Sequence, residues 1–178
     1  MKTEAIHLAG LRIAPVDLKQ GPQARIWLDL LDHYARDPMG GGTGLSDYAK
    51  ANLARELRVL PSFHGALAWL TQPDGSEQAV GLVNCFAGFS TFAAKPLLNI
   101  HDIVVHADFR GRGIAHALLG WVEERAHELG CCKLTLEVLS NNTTAMAAYE
   151  RAGFAPYVLD PAAGQALFLQ KILPESSG

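Results

Sequence analysis

The chain has 178 residues, 49% of them apolar and 19% charged, and fifteen Lys and Arg against eighteen Asp and Glu leave a formal charge of −3. Such a composition is that of a soluble globular chain, and its charge supplies no basic field for nucleic acid. A chain of this length buries about 70% of its unfolded surface, so one core can form without disulfide staples.

The three cysteines, Cys85, Cys131 and Cys132, sit in apolar runs and are odd in number, which predicts reduced, core-packing thiols in a reducing compartment. Met1 to Glu4 lacks the basic flank and apolar core of a signal peptide, and no apolar run reaches the roughly 18 residues of a spanning helix. A cytoplasmic protein with no membrane or nucleic-acid partner is expected.

In chain order, a strand is expected around Leu11 to Val16. Gly21-Pro22 then precedes an amphipathic helix in which Ile26, Leu30, His33 and Tyr34 recur at helical spacing up to Pro38. After the glycine-rich connector Met39 to Gly44, Ser46 is a candidate N-cap for a second helix carrying Tyr48, Leu53, Leu57 and Leu60, closed by Pro61. Ala66 to Leu70 and Val80 to Phe86 flank the turn Pro73-Asp74-Gly75-Ser76 and predict a hairpin, with a third strand over Leu97 to Val105. Ile114, Leu118, Trp121, Val122, Ala126 and Leu129 share one face of a helix, opposite Glu123, Glu124, Arg125 and Glu128, with Gly130 as its terminator. A strand over Lys133 to Leu139, a short helix from Thr143 to Ala152 ended by Gly153, and two strands flanking Asp160-Pro161 complete the order. The fold class is α/β or α+β, with the long helix crossing over between the Leu97 and Lys133 strands.

The strand ending at Val105 runs through Arg110-Gly111-Arg112-Gly113 into a helix. Glycines let backbone curl around a ligand, the N–H groups of a helix start are free, and two arginines add positive charge, so the turn suits a pyrophosphate. An ordinary basic turn before a helix fits the same residues. A Rossmann fingerprint fails because His116 stands where a small residue is needed, and no P-loop is present. One strand later, Asn142, Ala145, Tyr149 and Gly153 lie close to one helical stripe. Alone, that stripe reads as an N-cap, a packing Ala, a half-buried Tyr and a C-terminal Gly.

Taken together, the two segments resemble the GNAT superfamily of N-acetyltransferases. Arg110 to Ala115 matches its Arg/Gln-x-x-Gly-x-Gly/Ala acyl-CoA signature, and Asn142 to Phe154 matches its Asn-x-x-Ala-x-x-x-Tyr-x-x-x-Gly-Phe segment. The resemblance implies a GNAT-like mixed, splayed sheet of about six or seven strands flanked by about four helices. Residues 1–173 would form the single domain and 174–178 a disordered tail. It further implies acetyl-CoA as cosubstrate and no metal. Backbone amides of Gly111, Arg112, Gly113, Ile114 and Ala115, beside Arg110, would hold the pyrophosphate, and Ile103, Val104 and Val105 would pair with pantetheine as an added strand. Asn142 would bond the pantetheine or the adenosine side. Arg151 would reach a phosphate or stay a solvated helix charge.

Tyr149 would stand beside the thioester sulfur, where a phenol of ordinary pKa about 10 can protonate a departing thiolate. The base is open between His101, Asp102 and water. Alternation places Asn99 and His101 on one face of the strand and Asp102 on the other. His101 is either a proton relay or a satisfied structural histidine, and Asp102 either a base or an anchor for the splayed strands. Some diamine-acetylating members of the family carry Glu-Asp where this chain has His101-Asp102.

The expected activity is acetyl transfer to the primary amine of a small molecule by direct attack in a ternary complex. The alternatives are a peptide N-terminus or lysine as acceptor, or a non-catalytic CoA-binding module. A homodimer, with Asp160 to Leu173 as candidate contact, agrees with the family's habits.

Overall fold

The computed structural model describes residues 9–158, 160, 162 and 166–173. In chain order its elements are β1 (Leu11–Pro15), α1 (Gly21–Arg36), α2 (Asp47–Leu57), β2 (Phe63–Thr71), β3 (Glu77–Ser90), β4 (Lys95–Val105), α3 (Ile114–Glu128), β5 (Leu134–Leu136) and α4 (Thr143–Arg151). The strands form one sheet in sequence order, antiparallel from β1 to β4 and parallel between β4 and β5. The parallel pair follows from α3, because only a long crossover can return the chain to the same end of the sheet.

Local chemistry accounts for the boundaries. In the hairpin turn, Asp74 Oδ1 accepts from the Ser76 amide at 2.9 Å, and Gly75 takes φ +84°. Ser46 caps α2 by accepting from the Ala49 amide at 3.1 Å. Both α3 and α4 end in Schellman motifs. Cys131 N–H reaches back to Ala126 C=O at 2.9 Å around Gly130, and Phe154 N–H to Tyr149 C=O at 3.0 Å around Gly153. Each glycine is left-handed, at φ +68° and +91°, a conformation other residues adopt only at a cost. The Phe154 ring then packs edge-on against Tyr149, 6.0 Å between centroids. The Tyr-x-x-x-Gly-Phe spacing is therefore also a helix terminator that fixes the tyrosine.

Two cores flank the sheet. On one face, Ala66, Val83, Cys85, Leu98 and Ile100 pack against Ile114, Leu118 and Val122 of α3. On the other, Leu67, Leu82 and Val104 pack against Leu18 and against Trp27, Leu30 and Leu31 of α1, with Leu53 and Leu57 of α2 beside them. Trp27, fully buried, centres the α1 stripe. The sequence spacing predicts the stripe on Ile26, Leu30, His33 and Tyr34. Removing an indole from water contributes about 4–6 kcal/mol, which explains why the helix rotates to bury it.

The sheet has five strands, fewer than the six or seven expected. The two terminal strands do not form among the described residues. Pro156 removes a ladder donor from the first run, and in the second Leu167, Phe168, Leu169, Ile172 and Leu173 remain 75–83% exposed. Pro161 and the expected tail 174–178 lie outside the described residues. No helix among them is long and apolar enough to cross a membrane.

Candidate functional site

β4 pairs with β5 only over Leu98, Asn99 and Ile100, opposite Leu134 to Leu136. Beyond Ile100 the strand continues to Val105 with β3 on one side and, among the described residues, no strand on the other. Ile103, Val104 and Val105 thus lie on an open edge, as an extended ligand requires. That edge leads through a short 3₁₀ turn, Ala107–Phe109, to Gly111 at φ +75° and Gly113 at φ +81°. Gly113 is the N-cap of α3 and supplies no side chain to cap it. The first-turn amides of Ile114, Ala115 and His116 therefore lack helical partners and face the turn with the positive end of the helix dipole. A Cβ at Gly111 would meet nothing within 4 Å. The turn gathers backbone donors beside open space at Gly111, the donor chemistry that suits a pyrophosphate.

The two arginines are not free cations. Arg110 Nη2 holds Asp37 Oδ2 at 2.8 Å while its Nε donates to Val105 C=O at 3.3 Å. Arg112 donates to Asp108 C=O at 3.2 Å and lies over the Phe109 ring. Asp37 follows α1 and accepts the Met39 amide at 2.9 Å. That bond, together with Arg110, holds its carboxyl below the usual range. Beside this pair His33 and His106 stack with ring centroids 4.3 Å apart. Burial, then the charges of His106 and Arg110, keeps His33 below the ordinary imidazole pKa. No sequence spacing links Asp37 to Arg110, 73 positions on, or His33 to His106.

His101 and Asp102 share one side of the sheet, against the expected alternation. A bulge is the cause: Asn84 opposes Asp102 and Cys85 opposes Ile100, so His101 is the extra residue. The kink brings His101 Nδ1 to 3.5 Å from Asp102 Oδ2. Asp102 also accepts from Asn84 Nδ2 at 3.0 Å, and among the described residues no backbone group donates to it. The His101 ring packs edge-on against Phe86 at 5.5 Å. Asp102 lifts His101 above the ordinary imidazole pKa, partial burial opposing it and the charge of Glu137 assisting.

Tyr149 is half-buried on α4, and burial with the neighbouring Tyr34 phenol pushes it up to about 12. Tyr34 itself is raised by burial and by the charges of Asp102 and Asp37, so Tyr34, Asp102 and Tyr149 share one neighbourhood. Tyr34 was legible only as a helix-face residue. Asn142 caps α4 by accepting from the Ala145 amide at 3.2 Å, which leaves its NH₂ for a ligand. Arg151 lies exposed in the last turn. A groove of about 750 Å³ beside α3, bounded by His116, Glu123, Lys133 and Phe154, is lined by none of Tyr34, His101, Asp102, Asn142, Tyr149 and Arg151. No cluster of three metal-ligating side chains occurs among the described residues.

An open strand edge feeding an anion-ready turn is the arrangement of an acyltransferase that draws on a CoA thioester. The chain belongs to the acetyltransferase (GNAT) family, whose model matches residues 27–154 and whose members use acetyl-CoA. Solved structures share the fold. An acetyltransferase of Trypanosoma brucei is 24% identical over 89% of this chain and 99% of its own, with TM-score 0.62. A ribosomal-protein-alanine N-acetyltransferase of Brucella melitensis biovar Abortus 2308 is 22% identical over 91% and 99%, TM-score 0.66. An aminoglycoside N-acetyltransferase in complex with CoA is 19% identical over 90% and 94%, TM-score 0.67.

Proposed function

We propose that the chain transfers the acetyl group of acetyl-CoA to the primary amine of a small molecule, by direct attack while both substrates are bound. The open β4 edge that ends in the uncapped α3 start carries this reading. Ile103, Val104 and Val105 pair with the pantetheine arm. The amides of Gly111, Arg112, Gly113, Ile114 and Ala115 hold the pyrophosphate. Asn142 and Arg151 reach the more distant parts of the cofactor, and Arg110 exchanges Asp37 for a phosphate. Bound acetyl-CoA supplies an activated acyl group on a thiol leaving group.

His101 takes the proton that the acceptor ammonium must lose, with Asp102 beside it. The carboxylates of Asp102 and Asp37 on the α1 side favour a cationic acceptor. Tyr149 donates a hydrogen bond toward the leaving sulfur. A covalent acyl-cysteine route is disfavoured by chemistry, since burial pushes the Cys85 thiol up to about 12 and also raises Cys131. Three free thiols support a reducing, cytoplasmic setting.

Incubating the protein with acetyl-CoA and a panel of diamines, amino sugars, amino acids and N-terminal peptides, with free thiol as readout, tests the reading. Thiol release with a small amine and not with peptides is expected. Release only with peptides would replace the acceptor class, and binding of CoA without release for any amine would make the chain a non-catalytic module.

A further inference from the structure

Asn84 is the one buried polar residue among those described, only 2% exposed, and both ends of its amide are used. Trp27 Nε1 donates to Asn84 Oδ1 at 2.8 Å, and Asn84 Nδ2 donates to Asp102 Oδ2 at 3.0 Å. The direction of this chain is fixed at its buried end. An indole N–H can only donate, so it takes the amide oxygen, and the amide nitrogen must then face Asp102. The nitrogen also can only donate, which requires an accepting oxygen on Asp102. The same Oδ2 stands 3.5 Å from His101 Nδ1, so in the neutral imidazole that nitrogen is the one that bears the proton. The lone pair is left on Nε2, on the side of the ring away from the carboxylate.

We propose that Asn84, locked by Trp27, is a positioning residue that fixes His101 in its Nδ1–H form and so presents Nε2 to the acceptor amine. The bulge at Asn84 and Cys85 supports this, because it is what carries Asp102 to the α1 side of the sheet, where His101 and Trp27 lie. The other titratable groups facing the pair are Glu137, Tyr34 and Cys85. Glu137 acts on it through charge, whereas Tyr34 and Cys85 are neutral acids whose protons the Asp102 charge helps to hold; none of the three is hydrogen-bonded to it among the described residues, so none sets which ring nitrogen holds the proton.

The proposal deepens the reading of His101 as the base, and its test does not depend on turnover. Nitrogen-15 spectra of ring-labelled wild type, taken above the His101 midpoint, should show mainly the Nδ1–H form. Asn84→Leu removes both hydrogen bonds, and Asn84→Thr, too short to bridge Trp27 and Asp102, serves if the leucine variant does not fold. Either should give a mixture of the two tautomers and lower kcat by about tenfold with KM for acetyl-CoA unchanged. A wild-type ring in the Nε2–H form, or an undiminished Nδ1–H population in a folded variant, overturns the proposal. If His101→Ala leaves the pH–rate profile parallel to that of wild type, the base assignment falls while the spectra still decide the role of Asn84.

Discussion

Replacing Tyr149 by Phe removes one oxygen and keeps the ring that packs against Phe154 at 6.0 Å, so the Schellman end of α4 and the fold should survive. The phenol is pushed up to about 12, whereas an ordinary thiol titrates near about 8.5. Complete proton transfer to the leaving thiolate would therefore run uphill by about 3.5 units, on the order of 5 kcal/mol. A hydrogen bond to a partly developed charge needs no such transfer and is worth about 1.5 kcal/mol, the low end for a charged partner. That corresponds to a loss of about 13-fold in kcat, below the hundredfold or more typical of a positioned general acid. Stopped-flow or steady-state thiol release with a confirmed acceptor measures it, with KM for acetyl-CoA expected to change little. A loss beyond about a hundredfold would mean that the filled site lowers the Tyr149 pKa and uses the proton outright. Unchanged kcat in a folded variant would make Tyr149 a packing residue.

Gly111→Val should cost about 1–2 kcal/mol of stability from its left-handed backbone, since a Cβ there meets nothing within 4 Å; calorimetry should show CoA affinity falling at least about tenfold, and unchanged affinity would remove the turn from the cofactor site. His101→Ala should lower turnover most between its own raised midpoint and the pKa of the acceptor amine, and a constant deficit across that range in the pH–rate profile would refute the base. Asp37→Asn keeps an acceptor for the Met39 amide but releases Arg110, and calorimetry should show CoA binding tightened by up to about fivefold, the worth of an exposed ion pair. His64 is held below 6.5 by burial and by Arg125, so the unfolded chain takes up a proton that the folded chain refuses. Its contribution is full above 6.5 and lost as pH falls through the folded midpoint. His64→Gln should flatten the acid decline of Tm, and an unaltered slope would show that the histidine does not resist protonation.

Short-range chemistry was legible in the residues alone. Ser46, Gly130, Gly153 and the Asp74-Gly75 turn set element ends through bonds spanning a few residues, and the Gly111 and Gly113 spacing marked the anion cradle for the same reason. The two motifs also sufficed to suggest the family, since each is a local arrangement of backbone. The face on which Asp102 lies was not legible, because a bulge depends on pairing with β3 and reverses the alternation beyond it. The same holds for the ion pair between Asp37 and Arg110, the stack of His33 on His106 and the line from Trp27 through Asn84 to Asp102. Each joins residues 18 to 73 positions apart, and only packing two helices and a kinked strand against one another brings them within hydrogen-bond reach. Burial is equally a property of the whole fold, and it moved the Tyr149 phenol from an ordinary acid to a tightly held proton.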